Sequence, residues 1–241
     1  MKQTDQEFYQ EFYEGWASQQ IANPTRDIVL EWKAIHLANL FRSNLPQAEI
    51  KSICEIGGAE GTVIASIGRF LNAKNLDCYE LSEEFCSIGR MRHHNVTFVN
   101  GKFEGCQSDY DLGILSDITE HVEDDDNLLQ SVRSKCKYVL LKMPIELCVA
   151  GSEWRYRLQG KVKPRNMLFG KEHYNGHLRG YTVKSALTLV GQHFRVIDYY
   201  LVDPSFYYRG GIRFSWLRSW LGLKPLTWLV GGSLFVLGSR D

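Results

Sequence analysis

The chain opens with aromatic positions at helical spacing: Phe8 and Phe12, and Tyr9, Tyr13 and Trp16, fall at i+4 and i+3 separations on one side of a helix. A docking helix is expected there. After "ANPT", the residues Ile28, Leu30, Trp32, Ile35, Leu37, Leu40 and Phe41 predict a second helix from Asp27 to Ser43, with Thr25 placed to cap it. From Lys51 the texture changes to short apolar runs, and "SICEI" (52–56), "LDCYE" (76–80), "VTFV" (96–99), "LGILS" (112–116) and "KYVLLKM" (137–143) read as strands. Helical periods at 61–72, 83–91 and 122–134 fall between several of them. Such alternation predicts a parallel sheet covered on both faces. Two later runs, 194–202 and 232–238, read as further strands separated by an aromatic insertion.

The expected architecture is therefore α/β: a doubly wound, mostly parallel seven-stranded sheet with helices on both faces, an N-terminal helical cap, and an aromatic insertion before the last strand. At 241 residues and 44% hydrophobic, the chain suits one sizeable core, so 1–241 is read as a single domain. Its 28 basic and 28 acidic residues cancel, and no long-range field draws it to nucleic acid or an anionic membrane.

The N-terminal stretch does not read as a secretory signal, and no run reaches the roughly 18 uninterrupted apolar residues of a membrane span. The nearest, 214–238, is broken by Arg218, Lys224, Pro225 and the pair Gly231-Gly232. A soluble, cytoplasmic protein is expected. The six cysteines form no CxxC pair, and three lie in or beside predicted strands, as small buried thiols in a reducing compartment do. Spacing offers no zinc site, and no metal is expected.

The chemistry begins at "CEIGGAEGT" (54–62), where Gly57, Gly58 and Gly61 follow a strand and open a helix. A backbone without β-carbons turns tightly there and lets a ligand lie against it. Glu80 lies 19 residues past Gly61 at the end of the second strand, close to the ~20 at which a carboxylate accepts hydrogen bonds from ribose hydroxyls. A pyrophosphate loop wants GxGxxG and a bare helix N-terminus, whereas Glu55 and Glu60 flank this turn and repel phosphate. A cationic, phosphate-free nucleoside suits it better, and S-adenosylmethionine is such a ligand.

With these motifs the chain resembles the class I S-adenosylmethionine-dependent methyltransferases. "ICEIGGAEGT" is similar to their first motif, "CYELSEE" to the acidic end of their second strand, and "YDLGILSDITEHVEDDDNLL" to their fourth strand with its acid-histidine segment. "KYVLLKMP" looks like their fifth strand and "NGHLRGYTVKSALTLVGQHFRV" like the block before their sixth, so the resemblance spans about Lys51 to Val202. Ala59 stands where the family usually has glycine.

The resemblance divides the domain into a helical cap (1–50), a cofactor-binding core (51–143), and a substrate lid with the C-terminal strands (144–241). It implies cofactor contacts from Glu55, Gly57, Ala59, Gly61, Glu80, Asp117 and Ile118. Asn100, Gly101 and Lys102 fall where the family meets adenine, and Tyr13, with Tyr9 or Trp16, is placed to close over the cofactor.

For the acceptor side, His121, His173 and His177 are the candidate bases, His177 preferred because the family has a histidine there. Each has the plainer reading of a residue that locks its loop. Arg179 suits either an anionic substrate group or packing against the acid-histidine segment. The basic and aromatic stretch 145–175 reads as a substrate lid or a solvated face, and 205–230 as a homodimer patch, an acceptor or lipid-facing surface, or packing onto the sheet.

The implied activity is methyl transfer to a hydroxyl of a small molecule or glycan. The alternatives are an N- or C-methyltransferase and a non-catalytic S-adenosylmethionine-binding interaction protein. Nucleic acid is not an expected partner.

Overall fold

The structure, a computed structural model, describes residues 26–145, 177–202 and 231–241. The aromatic N-terminal helix with Tyr9, Tyr13 and Trp16, the cap residue Thr25, nearly all of the 145–175 lid with His173, Cys148, and the 205–230 aromatic segment lie outside the described residues.

The described chain runs α1 (Arg26–Asn44), β1 (Ser52–Ile56), α2 (Thr62–Leu71), β2 (Asn75–Glu80), α3 (Glu83–Arg92), β3 (Thr97–Asn100), a 3-10 turn (Phe103–Gly105), β4 (Tyr110–Ser116), α4 (Asp125–Lys135), β5 (Cys136–Ile145), α5 (Val183–His193), β6 (Arg195–Val202) and β7 (Gly232–Ser239). The seven strands form one sheet in the order β3-β2-β1-β4-β5-β7-β6. The ladders among β1 to β5 are parallel, and β7 runs antiparallel between β5 and β6. The expected fold class is the one observed.

The strands are apolar along their length because both faces are covered. Ile53, Leu112, Ile114, Leu140, Phe235 and Leu237 point to one side, where they meet Leu37 and Phe41 of α1 and Ile64 and Ile67 of α2. Their neighbours Cys54, Leu115, Val139, Leu141, Leu234 and Val236 point to the other, against Leu129 and Val132 of α4 and Ala186 and Val190 of α5. Residues that alternate in sequence thus enter two separate cores.

Helix α1 corrects one detail of the hydrophobic pattern. Its buried stripe is Ala34, Leu37, Ala38, Leu40 and Phe41, while Ile28 and Ile35 are 62% and 58% exposed. The 34/37/38/41 spacing is the helical one, and the large Leu37 and Phe41 are buried together with the small Ala34 and Ala38. Helix α4 starts at Asp125, later than the expected 122, because the Asp124 side chain caps it by accepting from the Asn127 N–H at 2.9 Å. The helix after Thr182 carries the capping box, with Ser185 reciprocating. Cys54, Cys78, Cys86, Cys106 and Cys136 are buried and unbridged, as expected of structural thiols. No described helix is long and apolar enough to cross a membrane.

Candidate functional site

The strand order reverses direction between β1 and β4, and a ligand crevice is expected at the carboxyl ends of those strands. A cleft of about 620 Å3 opens there, lined by Glu55, Gly57, Gly58 and Ala59 after β1, Tyr79 to Leu81 after β2, Gly101 to Glu104 after β3, and Ser116 to Ile118 with His121 after β4. Arg26, Leu30 and Lys33 of α1 and Leu178 add to the wall.

The first turn uses its glycines for conformation as well as space. Gly57 and Gly61 are left-handed at φ 67° and 76°, and Ala59 joins them at φ 49°. A β-carbon costs roughly 1–2 kcal/mol in that conformation, which accounts for glycine being usual where this chain has Ala59. A β-carbon on Gly57 would lie 2.5 Å from Ile118 Cδ1, and one on Gly58 would lie 2.5 Å from Cys78 Sγ and 2.8 Å from Glu55 Oε2. The turn after β1 therefore nests against the turn after β4 and over the end of β2.

Glu80 stands at the rim of this nest. Its Oε2 accepts from the Ala59 N–H and its Oε1 from the Ser82 N–H, both at 2.9 Å. The carboxylate thereby ties the glycine turn to the start of α3. Burial pushes its pKa up, against the backbone N–H groups of Ser82, Ala59 and Leu81. Gly101 and Lys102 line the cleft, but Asn100 does not: its side-chain amide donates to the Glu80 and Leu81 carbonyls at 3.2 and 2.9 Å. Asn100 thereby braces the end of β2.

The acids of the turn behave differently from two bare negative charges. Glu60 is fully buried and gripped by the Arg26 guanidinium, with Nε at 2.9 Å from Oε1 and Nη2 at 2.7 Å from Oε2. Its charge is already matched by that guanidinium, so Glu60 adds little to the repulsion of phosphate expected from this turn.

Glu55, 2% exposed, accepts from the Ile64 N–H at 3.0 Å. Burial raises its pKa to about 8, with Glu60 and Glu80 adding to the shift and the Ile64 N–H and Lys33 opposing it. A carboxyl raised in this way keeps its proton in the folded protein after the unfolded chain has lost it. Its contribution to stability is complete below pH ~4.5 and is lost progressively toward pH 8. Glu55→Gln, which retains an acceptor for Ile64, is expected to gain stability relative to the parent between pH 5 and 8. Urea unfolding at both pH values checks this, and a difference that does not change with pH would refute it.

Asp117, the first residue after β4, is also left-handed at φ 57°. Its carboxylate holds Lys142 of β5 through Oδ1 and Lys33 of α1 through Oδ2, the latter at 2.7 Å. Burial alone would raise its pKa, but the Lys142 and Lys33 ammonium groups outweigh burial and hold it below the usual carboxylate range. Pattern reading missed Arg26, Lys33 and Lys142. Nothing in a helical or strand period marks a lysine as the partner of an acid in a distant turn.

His121 lines the cleft, and the buried His177 meets it edge to face with ring centroids 4.8 Å apart. The Leu178 N–H donates to the Glu120 carbonyl at 2.8 Å and pins the two segments together. Glu120 is fully buried, and burial raises its pKa to about 8, with Asp117 adding to the shift and His177 and Lys142 opposing it. Spacing along the chain indicated no metal-ligand cluster, whereas the folded chain gathers Glu120, His121 and His177 with one donor atom from each within 4.8 Å of the others.

Arg179 takes the second of its two readings. It pairs with Asp125, and its Nη2 donates to the Glu123 carbonyl, while Tyr181 Oη sits 2.6 Å from Asp125 Oδ2. It packs the acid-histidine segment in place.

No family model matches the sequence, and no curated protein is similar to it in sequence. Solved structures are similar in fold. Magnesium protoporphyrin IX methyltransferase (ChlM) from Synechocystis PCC 6803, with bound S-adenosylhomocysteine, superposes with a TM-score of 0.65 at 12% identity, covering 99% of this chain and 100% of that one. The N-methyltransferase NodS from Bradyrhizobium japonicum WM9, also with S-adenosylhomocysteine, gives 0.55 at 9% identity over 91% and 89% of the two chains. The N-terminal domain of EvdMO1 with S-adenosylhomocysteine gives 0.54 at 17% identity over 87% and 81%. The fold is that of the class I methyltransferases.

Proposed function

We propose that the chain is an S-adenosylmethionine-dependent methyltransferase whose acceptor is a hydroxyl on a small molecule or glycan. The observation that carries this reading is the joining of the left-handed turn at Gly57, Ala59 and Gly61 to the Glu80 carboxylate across one cleft. The similar folds are those of proteins crystallised with S-adenosylhomocysteine, which supports the same cofactor here.

The residues suit the cofactor's chemistry. Gly57 and Gly61 leave backbone open to the ligand, and Glu80, which accepts from the Ala59 and Ser82 N–H groups, keeps acceptor capacity for ribose hydroxyls. Glu55 offers a carboxyl to an ammonium group, whose approach favours its ionised form. When bound, the cofactor supplies a methyl group on a sulfonium, open to in-line attack.

The chain's own task is to orient the acceptor and handle its proton. Asp117, spent on Lys33 and Lys142, holds the floor of the cleft and is a framework residue. His121 gives the acceptor side its polar wall, with His177 and Glu120 behind it. This order differs from the preference for His177 as the group that meets the acceptor.

Calorimetric titration with S-adenosylmethionine, S-adenosylhomocysteine and NAD tests the cofactor. Binding of the first two in the micromolar range and none of NAD is expected. Tight NAD binding, or no heat from any of the three, overturns the reading. Transfer of labelled methyl to a panel of phenols, glycans and amines then tests the acceptor, and labelling of amines alone sinks the hydroxyl assignment.

A further inference from the structure

At the edge of the cleft the turn after β4 and the segment before α5 supply a carboxylate and two imidazoles. One oxygen of Glu120 and one ring nitrogen each of His121 and His177 all lie within 4.8 Å of one another. Imidazole nitrogen with carboxylate oxygen is a donor set that divalent first-row transition ions accept. Three such ligands leave a coordination position for water or substrate, as in catalytic zinc sites. Metal–ligand distances of 2.0–2.1 Å in a tetrahedral site place donors about 3.3 Å apart, a contraction within reach of side-chain rotation.

A second observation points the same way. Glu120 Oε1 is buried and has no hydrogen-bond partner, and Oε2 has a long 3.4 Å bond from Thr119 Oγ1. A buried carboxylate oxygen left without a donor carries its full desolvation cost, and a cation among these three side chains removes that cost. The backbone holds the set together without an ion: His121 N–H donates to the Ile118 carbonyl at 2.9 Å, and Leu178 N–H to the Glu120 carbonyl at 2.8 Å. The nearby Asp117 is matched by Lys33 and Lys142 and does not compete for the ion.

We infer that Glu120, His121 and His177 are the ligands of a divalent transition-metal ion, zinc being the reference case. The metal site stands on these residues alone. Its use rests on the proposed methyltransferase reading: an ion beside the cleft takes the acceptor's hydroxyl oxygen as a further ligand and lowers that hydroxyl's pKa, and its proton passes to solvent.

The test uses the full-length, tag-free protein, stripped with EDTA and dialysed, then titrated with Co2+ by visible absorption and with Zn2+ by calorimetry. S-adenosylhomocysteine is titrated in parallel. One ion per chain with ligand-field bands is expected. His121→Gln and Glu120→Gln should each weaken binding at least ~10-fold, since loss of outer-shell partners alone costs 10–100-fold. His94→Gln, at an exposed histidine away from the cluster, should leave binding unchanged.

If buried Glu120→Gln fails to fold, His121→Gln, at the cleft wall, decides. Absence of binding tighter than millimolar, or undiminished binding in His121→Gln, overturns the inference. Metal binding without S-adenosylhomocysteine binding leaves the ion site standing and removes the methyltransferase reading, and the converse result does the reverse.

Discussion

Asp117→Ala is expected to lower the unfolding free energy by about 3–5 kcal/mol, the range for removing one partner of a buried ion pair. Lys142 is the reason: its side chain is 5% exposed, and its ammonium faces Asp117 from the centre of the sheet, while Lys33, 13% exposed, approaches from α1. Without the carboxylate, two cations face each other at the floor of the cleft, Lys142 being almost wholly buried. The backbone adds to the cost, because φ 57° is tolerated by aspartate and asparagine better than by alanine.

Two further variants separate the causes. Asp117→Asn keeps the backbone preference and loses the charge, so it should retain most of the destabilisation. Adding Lys142→Met to Asp117→Ala removes the buried cation that faced the carboxylate and should recover a large part of it. Urea unfolding of the set is the measurement, and a loss under about 1 kcal/mol in Asp117→Ala would show that the pair is solvated and weak.

Glu80→Ala should weaken binding of S-adenosylmethionine and S-adenosylhomocysteine by about 1–3 kcal/mol, the usual cost of losing hydrogen bonds to a charged group. The carboxylate has two roles. It braces the turn through the Ala59 and Ser82 N–H groups, and it faces the cleft with its remaining lone pairs. Glu80→Gln keeps one oxygen acceptor and should fall between alanine and the parent.

Calorimetry reads the affinity and thermal unfolding reads the brace, so the two roles come apart. A folded Glu80→Ala protein with unchanged affinity removes Glu80 from the ligand's surroundings. A protein that loses stability and affinity in parallel assigns it to the turn alone.

The expectations that held are those that burial imposes locally. Strands covered on both faces must be apolar at consecutive positions, so the runs at 52–56, 112–116 and 137–143 were visible without any structure, and each sits within an observed strand. A turn that needs left-handed backbone demands glycine, so 57 and 61 marked it. Ile28 and Ile35 carry the helical pattern of α1 yet stand exposed, because hydrophobicity alone does not say which positions the fold buries. Asn100, the last residue of β3, turns its amide to the Glu80 and Leu81 carbonyls, which its position in the chain does not announce.

By itself, then, the sequence determined the order and type of the elements, the glycine turn, and the acid at the end of β2. Each follows from residues within a few positions of one another, through periodicity, backbone conformation and the length of one strand-helix-strand unit. Only the tertiary structure decided which charges meet. Arg26 finds Glu60 34 positions away, Lys33 and Lys142 converge on Asp117, and His177 arrives beside Glu120 and His121. Such pairings are set by the strand order and by helices folding back over the sheet. A long-range contact between polar side chains leaves no period in the chain, because only the packed core fixes the distance between them.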